Sequence, residues 1–372
     1  MIRKGGYGVV ISSIGLGIPQ HNMSQQTVKT FVSDVFHQSA SQFLERMMPV
    51  FDNACIDNRQ FVVNLEWLKN NHTFKEKNDL YQYFAQIYSL QAIDACLKNN
   101  QLLNENIPYE AIDMIIFVSS TGIATPSIDT YIMNERPFRE DVIRMPLWGL
   151  GCAGGAIGLS RAFDWISAHP DKNVLLICCE LCSLTFQKSD SSKSNLVGTA
   201  LFGDGAAAAL LMGESSSNLS SIKDLSTKPR IIETSTKTKK NSNSVMGWDV
   251  TDRGLEVIFS KSIPAQVRSF WKRHIHTFLA QLSLTGQSIH SFIAHPGGKK
   301  VLEAMEDVLQ VPQEKFRHSY RILRNHGNMS SVTVLYVMYE WMKEGVPANM
   351  LSIISALGPG FSSELLLLEW KK

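Results

Sequence analysis

The sequence predicts an α/β protein built from two copies of one β/α unit, and three observations carry that reading. Short apolar strand patterns alternate with amphipathic helix patterns along all 372 residues, the rhythm of a sheet with helices packed on its faces. Ile116-Phe117-Val118-Ser119 resembles Phe292-Ile293-Ala294-His295, each a buried strand running into a loop, and the step between them is 176 residues. The same step carries Cys152 onto Asn328 and Leu175-Leu176-Ile177 onto Leu351-Ser352-Ile353, so three registers share one offset, as an internal duplication requires.

Length and composition set the outer bounds. A chain this long buries a large core and suggests two domains or one duplicated domain, divided here into 1–225 and 226–372. A net charge of +2 supplies no basic field for nucleic acid. The run Ala206–Met212 is too short to span a bilayer, and the opening residues lack the apolar stretch of a signal peptide. Six cysteines (Cys55, Cys96, Cys152, Cys178, Cys179, Cys182) in a long chain do not resemble a secreted disulfide framework. A cytoplasmic location is therefore expected.

The elements follow from the patterns. A strand is expected near Gly8–Leu16, helical patterns run from Ser24 to Met48, and a longer amphipathic helix covers Asn78–Asn99 before the apolar strand Met114–Val118. Helix Ala156–Ala168 follows Cys152, and Asn173–Cys179 is apolar almost throughout, as a fully buried strand is. The run Ser215–Ser244, rich in Ser, Thr and Lys, reads as a surface connection around a short strand at Arg230–Glu233. After it come helix Ile263–Leu282, strand Ser291–Ala294, helices Lys299–Leu309 and Ser330–Lys343, and strands Met350–Ser355 and Glu364–Trp370.

Chemistry concentrates at the turns between these elements. Cys152 lies in Trp148-Gly149-Leu150-Gly151-Cys152-Ala153-Gly154-Gly155, a thiol on a glycine-dense turn ahead of a helix. A helix N-terminus presents free N–H groups and a partial positive charge, so a cysteine held there can lose its proton near neutral pH; a buried structural cysteine is the alternative. His295 ends a strand and is followed by Pro296-Gly297-Gly298. Asn328, taken alone, reads as a turn or cap residue. Together the three form a coherent set: a thiolate to attack an acyl thioester, an imidazolium to stabilise it, and an amide N–H as a further donor. His274 and His276 offer no metal-ligand spacing, and no metal or cofactor is expected.

Two other motifs compete. Gly149-x-Gly151-x-x-Gly154, with Glu180 ending the next strand, fits a dinucleotide fingerprint, but leaves His295, Asn328 and the repeated offset unexplained. Cys179-x-x-Cys182 suggests redox or zinc chemistry, but no second ligand pair accompanies it.

Five segments, in order, resemble the signatures of type III polyketide synthases, the chalcone-synthase-like enzymes. They are Gly151-Cys152-Ala153-Gly154-Gly155, Leu201-Phe202-Gly203-Asp204-Gly205, His295-Pro296-Gly297-Gly298, Asn328-Met329-Ser330-Ser331 and Gly358-Pro359-Gly360-Phe361. The resemblance spans essentially the whole chain, and the bacterial alkylpyrone-forming branch looks most similar. It implies a thiolase-like αβαβα layered fold of two duplicated halves and a homodimer. It also implies that Cys152 accepts a starter acyl group from CoA, with His295 and Asn328 promoting decarboxylation of malonyl-CoA so that the enolate attacks the thioester.

The resemblance further implies a substrate pocket formed by Phe202, Val257, Trp248, Cys182, Thr185 and Ser330. Thr125 would reach across the dimer interface before Pro126, with a cis peptide between them. Val257 stands where the plant enzymes have a second phenylalanine, and Trp248 where they have a small residue, so the cavity is reshaped and an aliphatic, long starter is expected. Arg46 matches one CoA-phosphate cation, while Pro49 and Asn53 occupy two others. Lys299 and Lys300, after Gly297 and Gly298 and with Arg59, are candidates to replace them, or else are solvated surface lysines. A priming-type ketoacyl synthase of the same fold, or a scaffold that binds acyl-CoA without turnover, are the alternative functions.

Overall fold

The computed structural model describes residues 8–36, 41–223 and 227–372; the boundary expected at 225/226 lies outside the described residues. Strand β1 (Val9–Gly17) is followed by β2 (His21–Ser24) and helices α1 (Gln25–Phe36), α2 (Ser41–Met47) and α3 (Pro49–Asn53), and β3 (Asn58–Phe61) pairs back onto β2. After α4 (Leu65–Leu68) comes α5 (Phe74–Leu97), which begins at Phe74 rather than Asn78 because Thr73 and Glu76 close a capping box. Thr73 Oγ1 accepts from Glu76 N at 3.2 Å, and Glu76 Oε2 accepts from Thr73 N at 2.7 Å. Next come β4 (Met114–Val118), α6 (Ile128–Glu135), β5 (Ile143–Leu147), α7 (Gly154–Ala168), β6 (Asn173–Leu181), α8 (Lys193–Leu201) and β7 (Asp204–Met212).

The second half opens with β8 (Lys228–Thr238) and a hairpin of β9 (Met246–Thr251) and β10 (Gly254–Phe259). Helix α9 (Ile263–Gln266) runs through a π-turn at Val267–Trp271 into α10 (Lys272–Gln281). Then follow β11 (Ser291–Ala294), α11 (Lys299–Leu309), α12 (Arg317–His326), α13 (Thr333–Glu344), β12 (Leu351–Gly358) and β13 (Ser362–Lys371).

One sheet of nine strands joins both halves in the order β11-β12-β13-β8-β1-β7-β6-β4-β5. Read outward from the β8–β1 contact, each half repeats the same pairings. β8–β13 and β1–β7 are antiparallel, β13–β12 and β7–β6 are antiparallel, and β12–β11 and β6–β4 are parallel. Strand β5 is an addition to the first half. The common offset is therefore a duplicated fold, with one refinement: Ile116 pairs with Leu176, whereas Phe292 pairs with Ile353, so β6 to β12 is one residue longer than β4 to β11.

Strand β8 departs from expectation. The polar run is not simply a surface connection, since Lys228–Thr238 is an 11-residue strand between β1 and β13. Its ladder is made of backbone groups, which are indifferent to the polar side chains that disguise it.

Three apolar cores sit between five layers. Alternate strand residues such as Ile116, Leu176, Ala207, Ile293, Ile354 and Leu366 pack with α7 and α13 in a shared central core. The opposite faces carry Ile115, Leu175 and Leu210 under α1 and α5, and Phe292, Ile353 and Leu367 under α10 and α11. This is the expected αβαβα layering, with α7 and α13 as its buried middle. Their approach is close: a Cβ at Gly155 would lie 2.2 Å from the Ser331 carbonyl oxygen, and one at Gly154 would lie 3.1 Å from Ser331 Cβ.

Gly155→Ala gains about 1 kcal/mol of helix propensity but drives a methyl into backbone. We therefore predict a net loss of about 1–3 kcal/mol in urea unfolding, and an unchanged or raised midpoint would contradict close packing at this seam.

Candidate active site

Cys152 lies in a 3₁₀ turn, Gly151–Ala153, that continues into α7. The turn is fixed from both halves. Gly151 has φ +47°, a conformation glycine adopts without strain, and a Cβ there would lie 2.7 Å from Pro359 Cδ. Gly151 N donates to Ser120 Oγ at 3.1 Å, Ser120 N donates to Glu180 at 2.9 Å, and Ser331 Oγ donates to the other oxygen of Glu180 at 2.6 Å. Glu180 is fully buried, and burial pushes its carboxyl up to about 7. It braces the nucleophile turn against the start of α13 and is not a ribose-binding acid.

Asn328 occupies the equivalent turn of the second half. Gly327, φ +68°, ends α12. The Asn328 backbone is then strapped to the segment after α8: Asn328 N donates to Leu201 O at 2.8 Å and Gly203 N donates to Asn328 O at 3.0 Å. Phe202 and Asn328 thus form a parallel bridge. The Asn328 side chain is oriented by Ser330 N, which donates to Oδ1 at 2.8 Å, leaving Nδ2 only a long 3.4 Å bond to Gly297 O. The Cys152 thiol reaches Oδ1 at 3.9 Å. The expected partners, 176 residues apart, are in contact.

His295 follows β11, held by its N–H to Ser355 O at 2.8 Å. It is 3 % exposed, yet neither ring nitrogen has a partner among the described residues. Unsatisfied buried polar atoms cost about 1–3 kcal/mol, so such a group signals a reacting partner rather than a structural one.

Burial dominates the electrostatics. It pushes the Cys152 thiol up to about 11, with Glu180 adding to the effect and hydrogen bonds from Ser330 and Asn328 opposing it. It pulls His295 down to about 3. A thiol that ionises near neutrality through the helix terminus alone is therefore corrected: the dipole supplies about 0.3–1 kcal/mol, less than the roughly 3 kcal/mol that separates a thiol of 9 from one of 11. Each group resists ionising singly. Burial therefore favours the neutral form of both the thiol and the imidazole.

The pocket residues fall into two groups. A cavity of about 30 Å³ beside Cys152 is lined by Phe202, Trp248, Val257 and Ser330. A second of about 30 Å³, lined mainly by apolar groups with Ser183, Asn195 and Thr199 among them, contains Cys182 and Thr185 with Val28, Phe31 and Leu68. Phe202 and Val257 line both and form the partition between them. Trp248 faces Val257 across the hairpin and stands 5.8 Å from the Phe202 ring.

Sequence reasoning missed Phe259 and Met246, which line the Cys152 cavity. Their signal was alternation in β9 and β10, weak beside charged residues such as Asp249, Asp252 and Arg253.

The other expectations divide. Thr125 is exposed, lines neither cavity, and is joined to Pro126 by a cis peptide. Gly297 packs against the His295 ring, where a Cβ would lie 3.8 Å from Nε2, and Gly298 caps α11. Lys299 is half-buried, with Nζ 3.6 Å from Glu303, and Lys300 and Arg46 are exposed. Arg59 cannot serve as a CoA cation. It is fully buried, with Nη1 donating to Thr199 O at 2.7 Å and Phe202 O at 3.1 Å, and it anchors the end of α8. Cys179 and Cys182 are buried free thiols, and among the described residues no group of three His, Cys, Asp or Glu could hold a metal ion.

Comparison with known proteins agrees with this geometry. Residues 2–215 match the chalcone and stilbene synthases, N-terminal domain, and residues 231–370 match their C-terminal domain. A Bacillus subtilis (strain 168) protein, provisionally named a chalcone synthase, is 45% identical over 97% of this chain and 99% of its own length. The 1,3,6,8-tetrahydroxynaphthalene synthase of Streptomyces peucetius subsp. caesius is 31% identical over 98% of this chain and 93% of its own. In fold, the crystal structure of the Streptomyces coelicolor A3(2) tetrahydroxynaphthalene synthase aligns with TM-score 0.88 at 24% identity, covering 98% of this chain and 99% of that one. With both domains matched and the thiolase-like fold in place, the chain belongs to the chalcone and stilbene synthase family and is a type III polyketide synthase, an acyltransferase.

Proposed function

We propose that this synthase extends an aliphatic acyl-CoA starter with malonyl-CoA to tri- or tetraketides that close to alkylpyrones. The Cys152 sulfur attacks the starter thioester and CoA leaves as its thiol, giving an acyl-enzyme. Malonyl-CoA then loses CO₂, and the electrons of the broken bond remain as an enolate. His295 and Asn328 Nδ2 donate hydrogen bonds to the enolate oxygen as charge develops. The enolate carbon attacks the Cys152 thioester, forms the new carbon–carbon bond and expels the thiolate, which is ready to accept the lengthened chain. The observations that carry this reading are the Cys152–Asn328 contact of 3.9 Å and the buried His295 ring, without partners among the described residues, on the loop whose Gly297 carbonyl accepts from Asn328 Nδ2.

The apolar cavity beyond Phe202 and Val257 favours an alkyl chain over a phenolic starter. At about 30 Å³ it admits one or two water-sized groups, so a long chain enters only as Phe202, Trp248 or Val257 turns aside. For CoA, Lys299 and Lys300 start α11, where a helix N-terminus suits phosphate, and exposed Arg46 is a further cation. A second copy of the chain would give Thr125 its expected role. The edge strand β5 and its surroundings expose Ile123, Tyr131, Ile143 and Trp148, an apolar rim that a homodimer would cover.

Isotopically labelled malonyl-CoA and a ladder of acyl-CoA starters, read by mass spectrometry, test the reaction. We expect pyrones carrying two or three added units with aliphatic starters, and none from Cys152→Ala. Condensed products from that variant, or no extension of any aliphatic starter, would overturn the assignment. Sedimentation should report twice the 41.6 kDa chain mass, and a single-chain mass would refute the dimer.

A further inference from the structure

The apolar cavity does not end blindly. Phe186 and Leu68, which line its far side, also line a third pocket of about 230 Å³ on the protein surface. Three compartments thus stand in series: the Cys152 cavity, the apolar cavity beyond Phe202 and Val257, and this outer pocket beyond Leu68 and Phe186. The lining changes abruptly at the last partition. Lys77, Lys188, Arg253 and His72 surround the outer pocket, and no acidic side chain is among its lining residues.

Lys77 is the telling group. It projects from α5 and is 8 % exposed, a rare place for an ammonium without a counter-charge. Its two hydrogen-bond partners, Phe186 O at 2.9 Å and Gln187 Oε1 at 3.0 Å, are both neutral. Two of its three N–H donors are used. Burial, with Arg253 nearby, pulls the amine down to about 8, and Glu256 opposes this only in part. Glu256 is already engaged with Arg253 at 2.6 Å. An anion entering the pocket would relieve this strain, and an alkyl chain that overran the apolar cavity would instead leave methylenes against charged groups.

Resting on the acyl-compartment reading above, we propose that the outer pocket is a subsite for the far end of the starter, and that it accepts a terminal carboxylate on Lys77 and Lys188. The enzyme then selects on both ends of its starter: a thioester at Cys152 and an ω-carboxylate, as in the CoA monothioesters of long dicarboxylic acids. Alkyl starters are limited to lengths that end at Leu68 and Phe186.

The test compares kcat/KM for alkyl and ω-carboxyalkyl acyl-CoA starters of equal length along a ladder of lengths. Once the chain passes Leu68 and Phe186, the wild-type ratio should favour the ω-carboxylate by about tenfold, the scale of one charge-assisted hydrogen bond. Lys77→Met and Lys188→Met should each bring the ratio toward one, and Lys77→Arg should retain it. Lys188→Met carries the test if Lys77→Met fails to fold. A wild-type ratio at or below one at every length, or an unchanged ratio in both methionine variants, overturns the subsite while leaving the acyl compartment standing. Failure to extend any aliphatic starter of either kind removes the compartment and the subsite together.

Discussion

The close contact between α7 and the start of α13 is the constraint on which the rest of the structure depends. The two elements are equivalent parts of a duplicated fold, buried back to back between the two halves of one sheet. Gly155 lets the backbones meet at a distance no side chain would permit. Because each element follows the turn that carries its candidate site residue, this contact also sets Cys152 against Asn328. Packing and the proposed catalysis therefore share a cause. Glu180, bridging Ser120 and Ser331 across the seam, fixes the turns relative to one another, and the Phe202–Asn328 bridge, with Arg59 beneath it, fixes the pocket wall.

The candidate site sets a half-buried thiol and a buried imidazole at the junction of the two halves, and burial dominates the electrostatics of both. Burial holds both the thiol and the imidazole in their neutral forms, and a neutral imidazole still has one N–H to donate. In the proposed reaction the same burial would strengthen the hydrogen bonds that His295 and Asn328 offer to an enolate oxygen. The proposed specificity lies elsewhere, on the hairpin that supplies Trp248 and Val257 and along the compartments beyond it.

Much of this was legible in the sequence where local pattern and tertiary role coincide. Strands Met114–Val118 and Ser291–Ala294 are short, apolar and buried on both faces, and the structure gives them these bounds. The Cys152–Asn328 contact was legible through the shared offset, which a duplicated fold turns into proximity. Other features were hidden for physical reasons. Lys228–Thr238 is a strand by backbone pairing alone, and its Thr, Ser and Lys side chains imitate a loop. Arg317–His326 has charged residues on its outer face and no proline or side-chain cap to announce it. Arg59 has the sequence character of a surface cation, and only its place beneath the end of α8 reveals a structural role. That Phe202 and Val257 divide Cys182 and Thr185 from Cys152 is a matter of side-chain position in three dimensions, which no spacing encodes.

That burial holds the Cys152 thiol in its neutral form is tested most directly by the pH dependence of Cys152 alkylation, followed by peptide mass spectrometry. Only the thiolate reacts, and burial pushes the thiol up to about 11, so the rate should climb about tenfold per pH unit from 7 to 10. A rate that is already high at pH 7 and stays flat to pH 10 would contradict a neutral resting thiol.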